Sequence, residues 1–246
     1  MTKDSQGDRM KRYEEAFRHQ LPPRQPLIIR VDGRAFHTYT RDMVKPFDPI
    51  LMEAMVYATR KTADDMQGFK LAYTQSDEAT FLITDFDKLD SQGWFGYELN
   101  KVVSLSASLF TAHFNWCMGG DRIATFDSRA FVVPLEDVPN VFTWRQKDWF
   151  RNSISMLAQA HFSHKQLHGK KTSDMHDMLH DKGINWATDL TEQQKNGTFV
   201  RKVTKHFTDG LAEYDRTEFV PDHSKADYMQ IRDWIAGSPV EAGEPS

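Results

Sequence analysis

The chain has 246 residues, with 31 Lys and Arg against 35 Asp and Glu, for a formal net charge of −4 at neutral pH. That length makes one large domain, or a domain with a substantial extension, and it can bury a core without covalent staples. A single cysteine, Cys117, excludes an internal disulfide or a cysteine-based zinc site, and the mild acidity argues against a dedicated nucleic-acid binder, which is usually basic overall.

The stretch Met1-Thr-Lys-Asp-Ser-Gln-Gly-Asp8 is polar and lacks the apolar core of a signal peptide. No apolar run reaches the roughly 18 residues that a membrane span needs. With the lone thiol fitting a reducing compartment, a cytoplasmic protein without membrane contact is expected. In residues 9–19, Met10, Tyr13 and Phe17 recur at helical spacing and predict a helix with one face packed down. Leu21-Pro-Pro-Arg-Gln-Pro26 breaks it. Leu27–Val31 then reads as a strand that runs straight into the sharp turn Asp32-Gly33-Arg34.

Residues 37–48 read as a loop. Asp48 and Pro49 are an N-cap and first-turn pair for a helix over 50–67, which Gly68 ends. Next come two short apolar runs, Leu71–Tyr73 and Ala79–Ile83, around the polar turn Thr74–Glu78, which is a hairpin signature. Residues 84–93 form a loop and 94–116 a long helix closed by Gly119-Gly120. Residues 123–133 give a last strand with a polar interruption at Asp127-Ser128-Arg129. The order βαββαβ is the ferredoxin-like split βαβ unit, the layout of polymerase palm domains. The fold class is thus α+β, a palm-like domain over 1–138 followed by a helical, basic extension over 139–246. In the extension, 142–162 is a helix, 163–171 is basic and His-rich, and Thr172 or Ser173 caps a helix to His180. Residues 197–207 form a strand pair or ribbon, and 237–246 are expected to be disordered.

The chemistry concentrates at two turns. Asp32 ends one strand, and Ser76, Asp77 and Glu78 form the hairpin tip. Each alone is a common turn-former. Together, on strands of one sheet, they supply oxygen ligands of the kind that hold Mg²⁺ alongside substrate phosphates. Gly33 lets backbone approach a ligand, and the N–H groups after it suit a phosphate. No P-loop, dinucleotide or zinc-protease motif is present. His161, His164 and His168 cluster at helical spacing and read as a surface group beside lysines rather than a metal site. The basic runs His164–Lys171 and Arg201–His206 permit an anionic partner without demanding one.

Six ordered motifs carry a resemblance: Ile29-Arg-Val-Asp-Gly-Arg-Ala-Phe-His37, Lys45-Pro46, Tyr73-Thr-Gln-Ser-Asp-Glu78, Lys101-Val-Val-Ser104, Phe126-Asp-Ser-Arg129 and Trp144-Arg-Gln-Lys-Asp148. Over residues 9 to 203 the chain resembles the tRNA(His) guanylyltransferase family of reverse, 3′–5′ polymerases. The resemblance implies two Mg²⁺ ions held by Asp32, Asp77 and the Gly33 carbonyl, with Glu78 adjoining as a further catalytic candidate. It implies nucleoside triphosphate contacts from His37, Lys45, Ser76 and the backbone through Arg34, Ala35 and Phe36, with Arg30 and Lys101 near a second nucleotide or activated end. It makes Arg145, Asn152, Lys165, Lys170 and Lys171 the candidate RNA contacts, tRNA the partner, ATP and GTP or other triphosphates the substrates, and a homotetramer the expected assembly.

In that family a 5′-monophosphate RNA is activated with ATP. The 3′-hydroxyl of an incoming nucleotide then attacks and releases AMP, and the new 5′ triphosphate is trimmed. The chain departs from the eukaryotic pattern at Phe150, where a histidine is usual, and at Ser128, where a glycine is usual. Ser163–Lys170 and Lys182-Gly-Ile-Asn185 resemble the bacterial and archaeal "like" branch, which implies 5′-end tRNA repair as well as addition of a guanosine. Two other functions use the same acidic turns or the same fold: a palm-type 5′-adenylyltransferase or cyclase, and a non-catalytic RNA-binding scaffold. Carboxylates clustered without a cation cost stability, which disfavours the scaffold.

Overall fold

The computed structural model describes residues 5–208, 213–237 and 241–242. The first helix, α1 (Gln6–Glu15), is capped by Ser5, whose Oγ accepts the Asp8 N–H at 3.1 Å. It buries none of its side chains, so the expected packed face does not form within one chain; Met10, Tyr13 and Phe17 are exposed. β1 (Leu27–Gly33) leads through the short α2 (Phe36–Tyr39) to α3 (Pro49–Asp64). Asp48 caps α3 by accepting the N–H groups of Ile50 and Leu51 at 2.9 and 3.1 Å, and Pro49 supplies a helical φ at N1.

β2 (Phe69–Gln75) and β3 (Glu78–Ile83) form the hairpin, α4 (Leu99–Met118) crosses back, and β4 (Phe126–Val132) completes the unit. The helix expected from Trp94 starts at Leu99 because Phe95, Gly96 and Tyr97 take positive φ (50°, 60° and 59°), which a right-handed helix excludes. The strands lie in the order β4-β1-β3-β2 and pair antiparallel. Alternation assigns the faces. Leu27, Ile29, Val31, Phe81 and Ile83 meet Met55, Ala58, Phe110 and Phe114 of α3 and α4. Phe110 and Phe114 are fully buried, each stabilising by about 2–3 kcal/mol.

The other face, expected to be open, is partly covered. α5 (Val138–His161) lies on it and packs Val138 and Phe142 against Ile28, Leu71, Tyr73 and Leu82. The last turns of α5 carry a small separate core of Ile154, Leu157, Leu179 and Trp186, shared with α6 (His164–Leu167), α7 (Thr172–Asp181) and α8 (Trp186–Asp189). α9 (Glu192–Asn196) then turns into β5 (Thr198–Thr208), which pairs with β6 (Glu213–Asp222). β5 also joins β2, from Leu71↔Arg201 to Thr74↔Thr198, so strands from both sides of residue 138 share one sheet. The extension is therefore not only helical. α10 (Tyr228–Ala236) covers Tyr73 and Phe199 through Ile231, and β7 (Glu241–Ala242) pairs parallel with β5. The expected disorder of 237–246 falls largely outside the described residues.

Gly197 fixes the ribbon to the palm. It has φ +74° where α9 turns into β5, beneath Tyr73, whose hydroxyl donates to the Asn196 carbonyl at 2.7 Å. A Cβ there would lie 2.5 Å from Tyr73 Oη and 2.9 Å from the Thr74 carbonyl oxygen. Gly197→Ala is expected to lower the unfolding free energy by about 2–4 kcal/mol. The measurement is a urea titration, where a lower midpoint at unchanged slope is expected and an unmoved midpoint would refute the anchoring.

Candidate active site

Both acidic turns lie at the same end of the sheet. β1 and β3 are adjacent, Asp32 stands opposite Glu78, and the Gly33 N–H donates to the Asp77 carbonyl at 2.9 Å. The β2–β3 hairpin closes with only Ser76 and Asp77 between the paired Gln75 and Glu78. Ser76 takes φ 51°, and its Oγ donates to Asp77 Oδ1 at 3.0 Å. On β1, a Cβ at Gly33 would fall 2.3 Å from the Phe36 ring, so the turn needs glycine. Phe36 is a core residue, with ring centroids 5.0–5.7 Å from those of Tyr39, Phe114 and Phe126. Its contribution to a ligand is therefore confined to backbone. The N–H groups of Ala35, Phe36 and His37 open α2 ahead of its first internal donor, Thr38, and are left for an outside acceptor.

Electrostatics mark the same edge. Burial, and then the charge of Asp32, push the Asp77 carboxyl up, against the Ser76 hydroxyl and its own backbone N–H, which lower it. Arg129 Nη2 lies 3.6 Å from Asp32 Oδ2 and 3.4 Å from Asp127 Oδ1. Asp127 is the β4 residue opposite Asp32. Asp127-Ser128-Arg129 does not interrupt the strand, contrary to the expectation from its polarity. It is regular alternation: Asp127 and Arg129 share the Asp32 face, and Ser128 turns the other way to hydrogen-bond Ser106 of α4 at 2.8 Å. Period-two spacing of Asp127 and Arg129 was the available signal.

Glu78 and Arg145 differ from expectation. Glu78 is buried and takes a bidentate pair from Arg145, Nε to Oε1 at 2.6 Å and Nη2 to Oε2 at 2.7 Å. Both oxygens are engaged, so Glu78 positions α5 rather than offering a free ligand. Arg145 is buried too and is withdrawn from the RNA contacts. Arg30 stands on the same face, its Nε 3.9 Å from Glu78 Oε2 and without a hydrogen-bond partner.

His37, Lys45, Ser76 and Asp77 line one cleft of about 300 Å³, with Met156 of α5 on its far wall. The Lys45 ammonium donates to the Thr40 carbonyl at 2.7 Å. Next to it, an apolar hollow bounded by Leu51, Met55, Trp149 and Met156 shares Pro46 and Ser76. Arg34 is exposed beside the turn. Lys101 is not brought here. It pairs with Glu98 at 3.5 Å in the first turn of α4 and is not among the residues that line the cleft of His37, Lys45 and Asp77. Asn152, Lys165, Lys170 and Lys171 are exposed on α5 and the small helical unit beyond the acidic edge.

Comparison with known proteins decides the family. A family model described as tRNAHis guanylyltransferase (Thg1) matches residues 7–134, about half the chain. The chain belongs to the tRNA(His) guanylyltransferase family. It is 45% identical to a bacterial tRNA(His) guanylyltransferase (Thg1)-like protein solved in complex with ATP, with a TM-score of 0.84 over 94% of this chain and 97% of that one. A bacterial Thg1-like protein in complex with GTP is 42% identical, with a TM-score of 0.79 over 93% and 96%. The tRNA(His) guanylyltransferase of Schizosaccharomyces pombe is 28% identical over 218 residues, 80% of this chain and 81% of that protein. The enzymes of this tRNA(His) guanylyltransferase family are nucleotidyltransferases, and the fold here is their palm-like α+β fold.

The residues of the edge fit a magnesium ion. Among the described residues no group of three or more His, Cys, Asp and Glu side chains gathers into a self-sufficient metal site, and that includes the His161, His164 and His168 trio. The edge offers Asp32, Asp77 and a carbonyl, an oxygen-only and incomplete set of the kind Mg²⁺ completes with water and phosphate. Geometry supports the fit: Asp32 and the Asp77 turn meet at one end of the sheet, and burial, more than the Asp32 charge, raises the Asp77 carboxyl. Folding tightens proton binding at Asp77, so its ionisation costs stability as pH rises through the raised value. Asp77→Asn is therefore expected to raise the melting temperature of metal-free protein at neutral pH and to remove the further rise that Mg²⁺ gives wild type. An equal Mg²⁺ response in both proteins would sink the ligand assignment. Arg145→Ala, which strands a buried carboxylate, is expected to cost about 3–5 kcal/mol in denaturant unfolding, and a loss under about 1 kcal/mol would show that the pair is not structural.

Proposed function

We propose that this protein adds nucleotides to the 5′ end of tRNA in the 3′–5′ direction, and that tRNAs lacking 5′ nucleotides are among its substrates. The observation that carries the reading is the convergence of Asp32 and Asp77 on one sheet edge, beside a cleft lined by His37 and Lys45. Asp32, Asp77 and the Gly33 carbonyl would hold Mg²⁺. The metal, when bound, neutralises charge on attacking and leaving phosphate oxygens.

The chain's own groups position the reactants. Lys45 places an ammonium against the triphosphate, and Ser76 and the opening N–H groups of α2 donate to phosphate oxygens. The apolar hollow beside Trp149 and Met156 offers an aromatic and aliphatic surface for the edge of a nucleobase. Arg129 spans Asp32 and Asp127, and it would offer its guanidinium to a phosphate once a cation replaces it there. No side chain needs to act as nucleophile. The RNA 5′-phosphate oxygen attacks the α-phosphorus of ATP and expels pyrophosphate. The 3′-hydroxyl of the incoming nucleotide then attacks the activated 5′ phosphorus and expels AMP. Phosphoryl transfer of this kind rests on positioning and charge neutralisation.

Phe150 and Ser128, where the eukaryotic pattern has histidine and glycine, support a broad tRNA specificity over a strict tRNA(His) one. ATP and tRNA as substrates suit a cytoplasmic role. Met10 and Tyr13 of α1, with Phe17 just past its end, have no cover in one chain and support docking on a second copy.

The test uses 5′-monophosphorylated tRNA(His) lacking its extra guanosine and a tRNA missing its first paired nucleotide, each with ATP, GTP and Mg²⁺. Extension of both, with preference for the truncated tRNA and loss of at least about 10³-fold in Asp77→Ala, is expected. Extension of tRNA(His) alone would restore the narrow activity. An adenylylated but unextended end would identify an adenylyltransferase, and no product at all would overturn the enzymatic reading. Lys45→Ala is expected to raise the triphosphate KM by about 10-fold, the loss of one charge-assisted contact; an unchanged KM would remove Lys45 from the site.

A further inference from the structure

The face of α5 turned away from the sheet forms one wall of a cleft of about 620 Å³, and the turn into α10 forms the other. Trp144, Lys147 and Phe150 line it from α5, and Lys225 and Tyr228 from the facing turn. Trp144 is 51% exposed and Phe150 41%, so large aromatic surface is left in water on an otherwise polar helix face. Neither ring is loose. Phe150 packs edge-on against Trp186, with centroids 4.7 Å apart at 69°. The Arg145 guanidinium lies 4.7 Å over the Trp144 ring, and Arg145 is itself fixed on Glu78. The indole is thus held by Arg145 while half of its surface stays exposed along the cleft.

Charge supplies the second observation. The whole chain carries −4, yet four cations line this cleft against one carboxylate, Asp227. Asp227 is engaged as the N-cap of α10, accepting the Gln230 N–H at 2.9 Å. Arg151 and Lys195 are held by Asp148 and Glu192 at 2.9 and 2.7 Å. Among the described residues Lys147 and Lys225 have no ion-pair partner. Stacking surfaces interleaved with unpaired ammonium groups match single-stranded RNA, whose bases need aromatic faces and whose phosphates need cations. An apolar protein interface is depleted in lysine instead.

We propose that this cleft is an RNA-binding slot: one unpaired or terminal base stacks on the exposed surface of Trp144, and the flanking phosphates lie on Lys147 and Lys225. The slot rests on the nucleotidyltransferase reading for its ligand and adds to it a named contact surface. It is tied to the acidic edge through Trp144, Arg145 and Glu78, since Glu78 stands opposite Asp32. A base seated in the slot therefore fixes the RNA relative to Asp32 without touching the reacting atoms.

The experiment is fluorescence anisotropy of a 5′-monophosphorylated, dye-labelled tRNA with the full chain, without nucleotide or Mg²⁺, across about 50–200 mM salt. Trp144→Ala is expected to weaken binding about 10-fold, with most of it recovered in Trp144→Phe, because any aromatic face stacks. Lys147→Ala with Lys225→Ala is expected to reduce the slope of log affinity against log salt by about 1.4–1.8. Melting temperatures are expected to hold within about 2 °C, since these side chains are exposed. Unchanged affinity and slope in both variants would overturn the slot, as would a change in oligomeric mass with RNA affinity intact, which would make the cleft an interface between copies. Asp77→Ala separates the two readings: it is expected to bind the tRNA with wild-type affinity while failing to extend it, so the slot and the catalytic assignment fail independently.

Discussion

The bidentate ion pair between Glu78 and Arg145 holds the palm sheet and the C-terminal extension in one arrangement. Glu78 is the first residue of β3 after the acidic turn, and Arg145 lies two turns into α5. Their two short hydrogen bonds place α5 across the second face of the sheet at the edge where Asp32 and Asp77 meet. Burial, and then the charge of Asp32, push the Glu78 carboxyl up, against the Arg145 and Arg30 guanidinium groups, which pull it back toward the charged form. A buried pair of this kind contributes little net stability against apolar substitutes, but it costs dearly when split. Its effect here is registry. Trp149 and Met156, which wall the apolar hollow beside Ser76, arrive on the same helix as Arg145.

Around that pair the molecule separates its charges by depth. Glu78 is neutralised internally, which leaves Asp32 and Asp77 without a buried cation. Arg129 reaches them from β4, is half exposed, and divides itself between Asp32 and Asp127. A half-exposed guanidinium shared by two carboxylates screens weakly. Such an edge would suit a small cation, or a phosphate that brings one.

Much of this was legible in the chain. Apolar runs ending at Asp32 and at Ser76-Asp77 gave the strands their lengths, and the βαββαβ order put both ends on one side. Pairings distant in sequence were hidden. Nothing local to Glu78 announces a partner 67 residues away, so Glu78 read as a free carboxylate and Arg145 as an RNA contact. Lys101 occurs in a family motif, but a motif does not say that its side chain pairs with Glu98 in the first turn of the helix. β6 was missed because residues 214–217 are exposed, and an edge strand wetted on both sides loses the alternation that marks strands. Asp127 was seen but not placed, since its neighbour on the sheet is set by topology.

The two-residue turn at Ser76-Asp77 has a consequence for how this chain tolerates change in length. Strand side chains alternate with a period of two, so one residue inserted after Asp77 would send Glu78 to the opposite face. Arg145 would lose its partner and α5 its registry at a stroke. The loop over 84–93, at the other end of the same strand, has no such constraint and lies where β3 has already left the sheet. Length variation among relatives and engineered insertions alike should therefore gather at that far loop, while the hairpin tip keeps a fixed count of residues.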